Sequence, residues 1–366
     1  MSDPTAPVPG PEPELGVPTS GGTSAGDAAP RDGTGGDASS LDGTGGDVAP
    51  NNATDGVRQV PGVEGNGAAG DISIGDGTDA ARRVRVRGAA RFDDLLAAAG
   101  VSDPWEGPGG SRRYVPDLSL LEDILAIPVR EGARSQSGLY GRALDAWLAH
   151  EFRRAGFEAD SVWPRASDPR VLPQEIGRLL EVLPDRVARA MRERLLRATS
   201  VAPQDARIRG RAYVKQVDVG ISSWTTGPEL LLSTKALNSS FGNNLANRFE
   251  EAYGDAGNLR ARYPLAAVGF AFFVRSTILD EPHMLARAVD MVDKLRDRGD
   301  GNGYTSTCLV VTHWSPDGSV SVMPDAVPDH LGAGPFMEAL IDVILGYAPV
   351  TEHTRVRDLR AGGPIG

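Results

Sequence analysis

The run from Leu265 to Val274 is almost continuously apolar, the pattern of a β-strand covered on both faces rather than one with a face in water. A sheet holding such a strand needs a packing layer on each side, and helices are the usual cover. The rest of the chain supplies them. Leu144, Trp147, Leu148, Phe152 and Ala155 recur at helical spacing within Leu139 to Ala155 and stop at Gly156, which predicts an amphipathic helix with a glycine terminator.

Two further strands are predicted ahead of the apolar run. Ala212 to Ser222 alternates, with Val217, Val219 and Ile221 on one face and Gln216, Asp218 and Gly220 on the other. Thr225-Thr226-Gly227-Pro228 is a turn, so Glu229 to Lys235 is expected to return antiparallel. There Leu230 and Leu232 point one way, and Leu231, Ser233 and Lys235 the other. A helix capped by Ser239 or Ser240 is expected from about Asn243 to Tyr253, with Leu245, Phe249, Ala252 and Tyr253 as its buried stripe. Phe157 to Trp163 reads as a first strand. A helix over about Pro282 to Arg296, strands over Ser306 to Trp314 and Val320 to Met323, and a helix over Phe336 to Leu345 follow. The expected class is α/β with a mixed sheet.

Composition sets the limits of the folded part. Residues 1–80 are rich in Gly, Asp, Pro, Ser, Thr and Ala and repeat Asp-Gly-Thr-Gly-Gly-Asp at 32–37 and 42–47. Such a segment has too little apolar surface to offset the entropy of ordering, so a long disordered tail, dispensable for activity, is expected. Its thirteen acidic residues against Arg31 and Arg58 account for the whole net charge of −11. The remainder is close to neutral, so the acidity does not argue against a nucleic-acid partner. Residues 81–135, with Arg82, Arg83, Arg85 and Arg87 ahead of a helical pattern from Phe92 to Ala99, form a small helical segment. The main domain is expected over 136–366, with an Arg-rich helical insertion at about 173–198.

The single cysteine, Cys308, excludes a disulfide framework and a cysteine-rich zinc site. With no apolar run of membrane-spanning length and no signal-peptide pattern, a cytoplasmic protein with no membrane partner is expected. Lysine occurs only at 215, 235 and 294 among far more numerous arginines, which draws attention to a lysine at a strand end.

Asp218, followed fifteen residues later by Ser233-Thr234-Lys235, fits metal-dependent phosphodiester chemistry. That reaction uses a carboxylate to hold Mg²⁺ beside the scissile phosphate and an ammonium to orient water or offset developing charge. Adjacent strands can supply both. The order helix, strand, Asp-bearing strand, strand ending in x-x-Lys, helix, buried strand resembles the PD-(D/E)XK nuclease superfamily, with its restriction endonuclease-like core, over roughly Gly138 to Trp314. Gly141-Arg-Ala-Leu-Asp145 resembles the opening helix of its Mrr-like members.

By that resemblance Asp218 is a metal ligand, Lys235 the catalytic lysine and Asp145 an accessory carboxylate. Val217 stands where a proline commonly precedes the aspartate, and Ser233 where a second metal carboxylate commonly sits. Members with Ser-x-Lys take the acid from the following helix, which makes Glu250 the expected second Mg²⁺ ligand and Ser233 a supporting hydrogen bonder. Glu251 is the alternative to Glu250, and Glu151, inside its helix's apolar stripe, the alternative to Asp145. The resemblance implies a Mg²⁺-dependent endonuclease on double-stranded DNA, a restriction or other defence enzyme, homodimeric so that both strands are cut, with a cognate DNA methyltransferase as a possible companion. A resolvase or repair nuclease, or an inactive nuclease fold serving as a DNA-binding or assembly module, are the competing classes.

Other groups carry less. His150, His283, His313, His330 and His353 show no metal-ligand spacing, and Asp297 to Gly303 lacks the terminal glutamate of a calcium loop. Asn243, Asn244, Asn247 and Arg248 cluster near the start of the acidic helix, suited to contacting DNA or to capping.

Overall fold

The structure, a computed structural model, describes residues 88–363. The expectations for the acidic tail and for Arg82 to Arg87 lie outside the described residues.

The chain opens with α1 (Asp93–Ala99), a small hairpin of β1 (Trp105–Glu106) and β2 (Arg113–Tyr114), α2 (Leu118–Arg130) and α3 (Leu139–Arg154). After the short β3 (Val162–Trp163) come α4 (Gln174–Val182) and α5 (Asp185–Leu195), helices within the stretch expected to be helical. Then follow β4 (Ala206–Arg209), β5 (Val214–Val217), β6 (Val219–Ser223), β7 (Gly227–Leu237), α6 (Phe241–Arg260), β8 (Ala267–Arg275), α7 (Pro282–Arg296), β9 (Ser306–Trp314), β10 (Val320–Val322), α8 (Ala333–Tyr347) and α9 (Thr354–Ala361).

The main sheet has six strands in the order β10-β9-β8-β7-β6-β3, and β4 pairs only with β5. The three central strands run parallel, whereas β6 returns antiparallel to β7 through the expected turn. This is a mixed α/β sheet. Alternation along β8 divides its side chains between two cores. Ala267, Ala271 and Phe273 join Trp147, Phe152, Leu230, Leu232 and Phe336 on the side of α3 and α8. Val268, Phe270, Phe272 and Val274 join Leu231, Leu245, Leu309 and Val292 on the side of α6 and α7. Gly269 lets α8 come close, since a Cβ there would lie 3.1 Å from Leu340 and 3.2 Å from Phe336.

Three sequence expectations are revised. Of the segment expected as a small helical piece ahead of the main domain, 81–135, the described residues pack into the main core: Phe92, Trp105, Leu121 and Ile124 are fully or almost fully buried with the α3 side chains. The carboxylate of Glu122 accepts from the Val322 N–H at 2.7 Å, fastening α2 to the sheet edge. The alternating run of residues 212–222 is not one strand. It breaks at Asp218, so Val217 enters the α6 core while Val219 and Ile221 enter the α3 core. Finally, α6 extends to Arg260, and its buried face runs through Leu245, Ala252, Asp255, Ala256 and Leu259. Tyr253, expected inside, is exposed, with the Arg298 guanidinium 3.7 Å above its ring.

His150 on α3 is buried with no partner for its Nε2 among the described residues. Removal from water, together with Arg153 and Arg154, lowers its pKa to about 4, against an ordinary value of 6.5. Protonation therefore favours the unfolded chain. The contribution is fully present above about pH 6.5 and is lost as the pH falls towards about 4. At about 1.4 kcal/mol per pK unit it amounts to ~3 kcal/mol. His150→Gln is expected to flatten the fall in melting temperature over that pH window; a variant curve parallel to the native one would remove His150 as its source.

Candidate active site

The break at Asp218 creates the site. Up to Val219 the β6 backbone pairs with β7, in register with Leu232, and the Asp218 N–H still donates to the Leu232 carbonyl at 3.0 Å. Beyond it β5 leaves to pair with β4, so the next β7 amide loses its backbone acceptor. The Asp218 carboxylate replaces that acceptor: its Oδ2 takes the Thr234 N–H at 2.8 Å. An unpaired amide at this place would be costly, and a carboxylate accepts it strongly.

Alternation on β7 then distributes the next groups. Thr234 turns towards α3 and donates its hydroxyl to Asp145 Oδ1 at 2.6 Å. One threonine thus ties Asp145 to Asp218, through its side chain and its amide. Both carboxylates are partly buried. Removal from water, then the neighbouring Asp218 charge, holds Asp145 well above the usual carboxylate range, against the Thr234 hydroxyl, Lys235 and Arg142. Asp218 is raised by removal from water, opposed by the Thr234 amide, Lys235 and Lys215. Two acids raised in this way would each be relieved by a neighbouring positive charge.

Lys235 points to the opposite face, towards α6. Its Nζ lies 2.8 Å from Glu251 Oε1. Lys215, from β5, lies 3.6 Å from the same Glu251 oxygen and 2.5 Å from Asp255 Oδ2. Arg248 holds the other Glu251 oxygen at 3.1 Å. Burial works against the Glu251 charge, yet Lys235, Lys215 and Arg248 bring its pKa below the usual value. Tyr213 completes the row, its hydroxyl donating to Asp255 Oδ1 at 2.9 Å. Two of the chain's three lysines therefore meet on one glutamate.

The expected residues are distributed as follows. Asp145 and Asp218 are joined through Thr234, whereas Lys235 turns to the other face of β7, near enough for its charge to oppose the rise of both acids' pKa values. Ser233 is buried on the Lys235 face, and its Oγ has no hydrogen-bond partner among the described residues. Glu250, expected as the second Mg²⁺ ligand beside Asp218, is exposed, and its alternative Glu251 is paired with Lys235. The buried face runs through Leu245, Ala252, Asp255, Ala256 and Leu259 and not through Phe249 and Tyr253 as expected, a rotation that turns residues 251 and 255 towards β5 and β7. Glu151, the alternative to Asp145, is fully buried elsewhere, with the Arg154 guanidinium 2.7 Å away and the Tyr114 hydroxyl at 3.0 Å. Sequence inspection passed over Thr234, Lys215, Asp255 and Tyr213 as site residues. The scarcity of lysine marked Lys215, and its spacing from Glu251 marked Asp255 as the next residue on that helix face.

A surface cavity of about 240 Å³ opens at the other end of β7, lined by Thr225, Glu229, Tyr347 and Glu352 among others, and shares no residue with this site. Among the described residues no group of three or more His, Cys, Asp or Glu side chains converges as a metal cluster. The acidic component of the site is the pair Asp145 and Asp218. No protein-family model, curated protein or solved structure matches the chain.

Proposed function

We propose that this chain is a Mg²⁺-dependent DNA endonuclease with a restriction endonuclease-like fold, working in restriction or another defence role as a homodimer. The observation that carries the proposal is the joining of Asp145 and Asp218 through Thr234, with Lys235 as the next residue on the same strand. The order α3, β3, β6, β7, α6, β8 supports it, because a helix acid and a strand acid meet at Thr234 of β7 and the next residue on that strand is a lysine.

The donor set suits Mg²⁺, which keeps several waters and takes one or two carboxylates together with substrate oxygens. Asp145 and Asp218 would hold it, in place of the Asp218 and Glu250 pair expected from the sequence. When bound, Mg²⁺ supplies charge neutralisation at the scissile phosphate. Lys235, held by Glu251, would orient the attacking water, and the free Ser233 hydroxyl on the same face would assist by hydrogen bonding. The products would carry 5′-phosphate and 3′-hydroxyl ends. Incubating the protein with unmethylated genomic DNA, a linear duplex and a four-way junction should give cleavage in Mg²⁺ and none in EDTA. Failure of folded protein to cut any of the three would defeat the proposal, and cutting of the junction alone would favour a resolvase.

A second possibility, a nuclease fold retained for DNA binding, is favoured by the absence of a third convergent acid among the described residues. Calorimetric titration with Mg²⁺ separates the two. Binding lost in Asp218→Asn speaks for the enzyme, and no binding to the native protein speaks for the inactive module.

The helix acids give a further expected result. Glu250→Ala should cleave as the native protein does. Glu251→Ala should lose at least about tenfold, because Lys235 loses a charge-assisted contact of roughly 1.5–3 kcal/mol. Equal activities would show that the Glu251 contact does not position the lysine.

A further inference from the structure

We propose that Arg275 is a phosphate-binding residue, which anchors the DNA backbone a few phosphates from the scissile bond on the Asp145 side of the sheet. The inference rests on the endonuclease proposal. The hydrogen-bonding capacity of the Arg275 guanidinium is unused among the described residues. The Nε of Arg275 is buried and unpartnered, as are those of Arg260 and Arg298. Arg260 nevertheless bonds the Pro264 and Ala266 carbonyls, and Arg298 bonds the Tyr253 carbonyl and Asp300. Among the described residues the Arg275 side chain donates no hydrogen bond and forms no ion pair. Its remaining contact is through its face: the guanidinium carbon lies 4.8 Å from the centroid of the Trp314 ring.

That contact holds the group in place without using its N–H donors. Trp314 is itself stacked on Tyr140 at 4.9 Å with the rings 10° apart, and its Nε1 donates to Thr312 Oγ1 at 3.2 Å. A planar guanidinium fixed by its face, with its terminal N–H groups unbonded and no ion-pair partner among the described residues, suits phosphate oxygens. Immobilised before the ligand arrives, it loses little side-chain entropy on binding.

Its place in the sheet supplies the ligand. Arg275 ends β8 at the carboxyl end of the parallel strands, where open α/β sheets bind their ligands. Strand alternation directs it to the face of Phe273, the α3 face, as Thr234 is directed on β7. Thr234 pairs in register with Ala271, so Arg275 lies four residues further along. At about 3.3 Å per residue that is ~13 Å. One DNA strand carries a phosphate about every 3.4 Å of helix axis, so a backbone lying across Asp145 and Asp218 would pass Arg275 within a few phosphates. Arg142, exposed on α3 near Asp145, adds positive charge along the same course.

The test measures DNA affinity separately from cleavage. Fluorescence anisotropy of a labelled duplex in EDTA, over a range of salt concentrations, would be compared for the native protein, Arg275→Ala, Arg275→Lys and Arg262→Ala. Arg262 is exposed and precedes the opposite end of β8, so its substitution controls for the bare loss of one charge. Arg275→Ala should weaken binding about tenfold or more and lower the salt slope by about one, as expected for one lost phosphate contact. Arg275→Lys should keep the slope while losing part of the affinity, because the paired donors are gone. Arg262→Ala should change neither appreciably. Native affinity and slope in folded Arg275→Ala would overturn the inference and leave the endonuclease proposal standing. Should the alanine variant not fold, native affinity in Arg275→Lys would overturn it equally. If the native protein bound no DNA, the endonuclease proposal and this inference would fall together.

Discussion

Asp218→Asn and Lys235→Ala should each lose Mg²⁺-dependent DNA cleavage by ~10²-fold or more, with melting temperatures near that of the native protein. Metal and cationic groups at a phosphate supply several kcal/mol of stabilisation, and each 1.36 kcal/mol is a decade in rate. Asparagine is the informative replacement at 218. Its amide oxygen can still accept the Thr234 N–H that the aspartate holds at 2.8 Å, so the junction of β5, β6 and β7 is preserved while the charge is removed. Removing that charge also relieves the repulsion on Asp145, so stability should not fall. Asp218→Ala would strand the Thr234 amide at a cost of roughly 1–3 kcal/mol and confuse folding with chemistry. Cleavage assays on variants verified by thermal melts check both residues. Native activity in either one removes that residue from the proposed mechanism.

The parts of this site that sequence inspection located are those governed by a short period. Leu230, Leu231 and Leu232 alternate between two cores, and the same alternation separates Thr234 from Lys235, so the face of each group was legible. The buried strand at Ala267–Arg275 was legible for the same reason, as its apolar side chains serve both cores. Helix α6 was harder. Each residue on a helix turns about 100°, so a stripe that takes in Phe249 and Tyr253 in place of Asp255 and Leu259 exchanges Glu250 for Glu251.

The break at Asp218 was not legible, because an alternating strand and two shorter strands joined by a bend share one pattern. Only pairing of β5 with β4 rather than with β7 distinguishes them, and pairing is a long-range property. Lys215, Asp255 and Tyr213 depend on that departure. They meet because β5 leaves the main sheet on the side where α6 lies. Pattern alone could mark Lys215 as unusual but could not supply its partners.

The second large effect concerns stability. Glu151→Ala should lower it by ~3–5 kcal/mol, the usual consequence of removing one member of a buried ion pair. In a protein of this size that corresponds to a melting temperature roughly 6–20 °C lower. Glu151 is completely inaccessible, with Arg154 at 2.9 Å from Oε1 and 2.7 Å from Oε2. The Tyr114 hydroxyl donates to the same side chain at 3.0 Å and to the Glu151 carbonyl at 2.8 Å. Alanine would leave the Arg154 cation nearly buried without its ion-pair partner, with the Asp117 charge as the remaining acidic influence on it. It would also loosen Tyr114, whose ring packs edge-on against Trp105 at 5.2 Å and so carries the β1–β2 hairpin. The double variant Glu151→Leu with Arg154→Met should recover much of the loss, because it removes the stranded charge as well as its partner. Thermal melts of the two single variants and the double variant form the cycle. Equal destabilisation in the double and single variants would show that the cost comes from lost packing rather than from an uncompensated charge. In either case the Asp145–Thr234 hydrogen bond lies elsewhere on α3, so DNA cleavage at a temperature where the variants are folded should stay close to native.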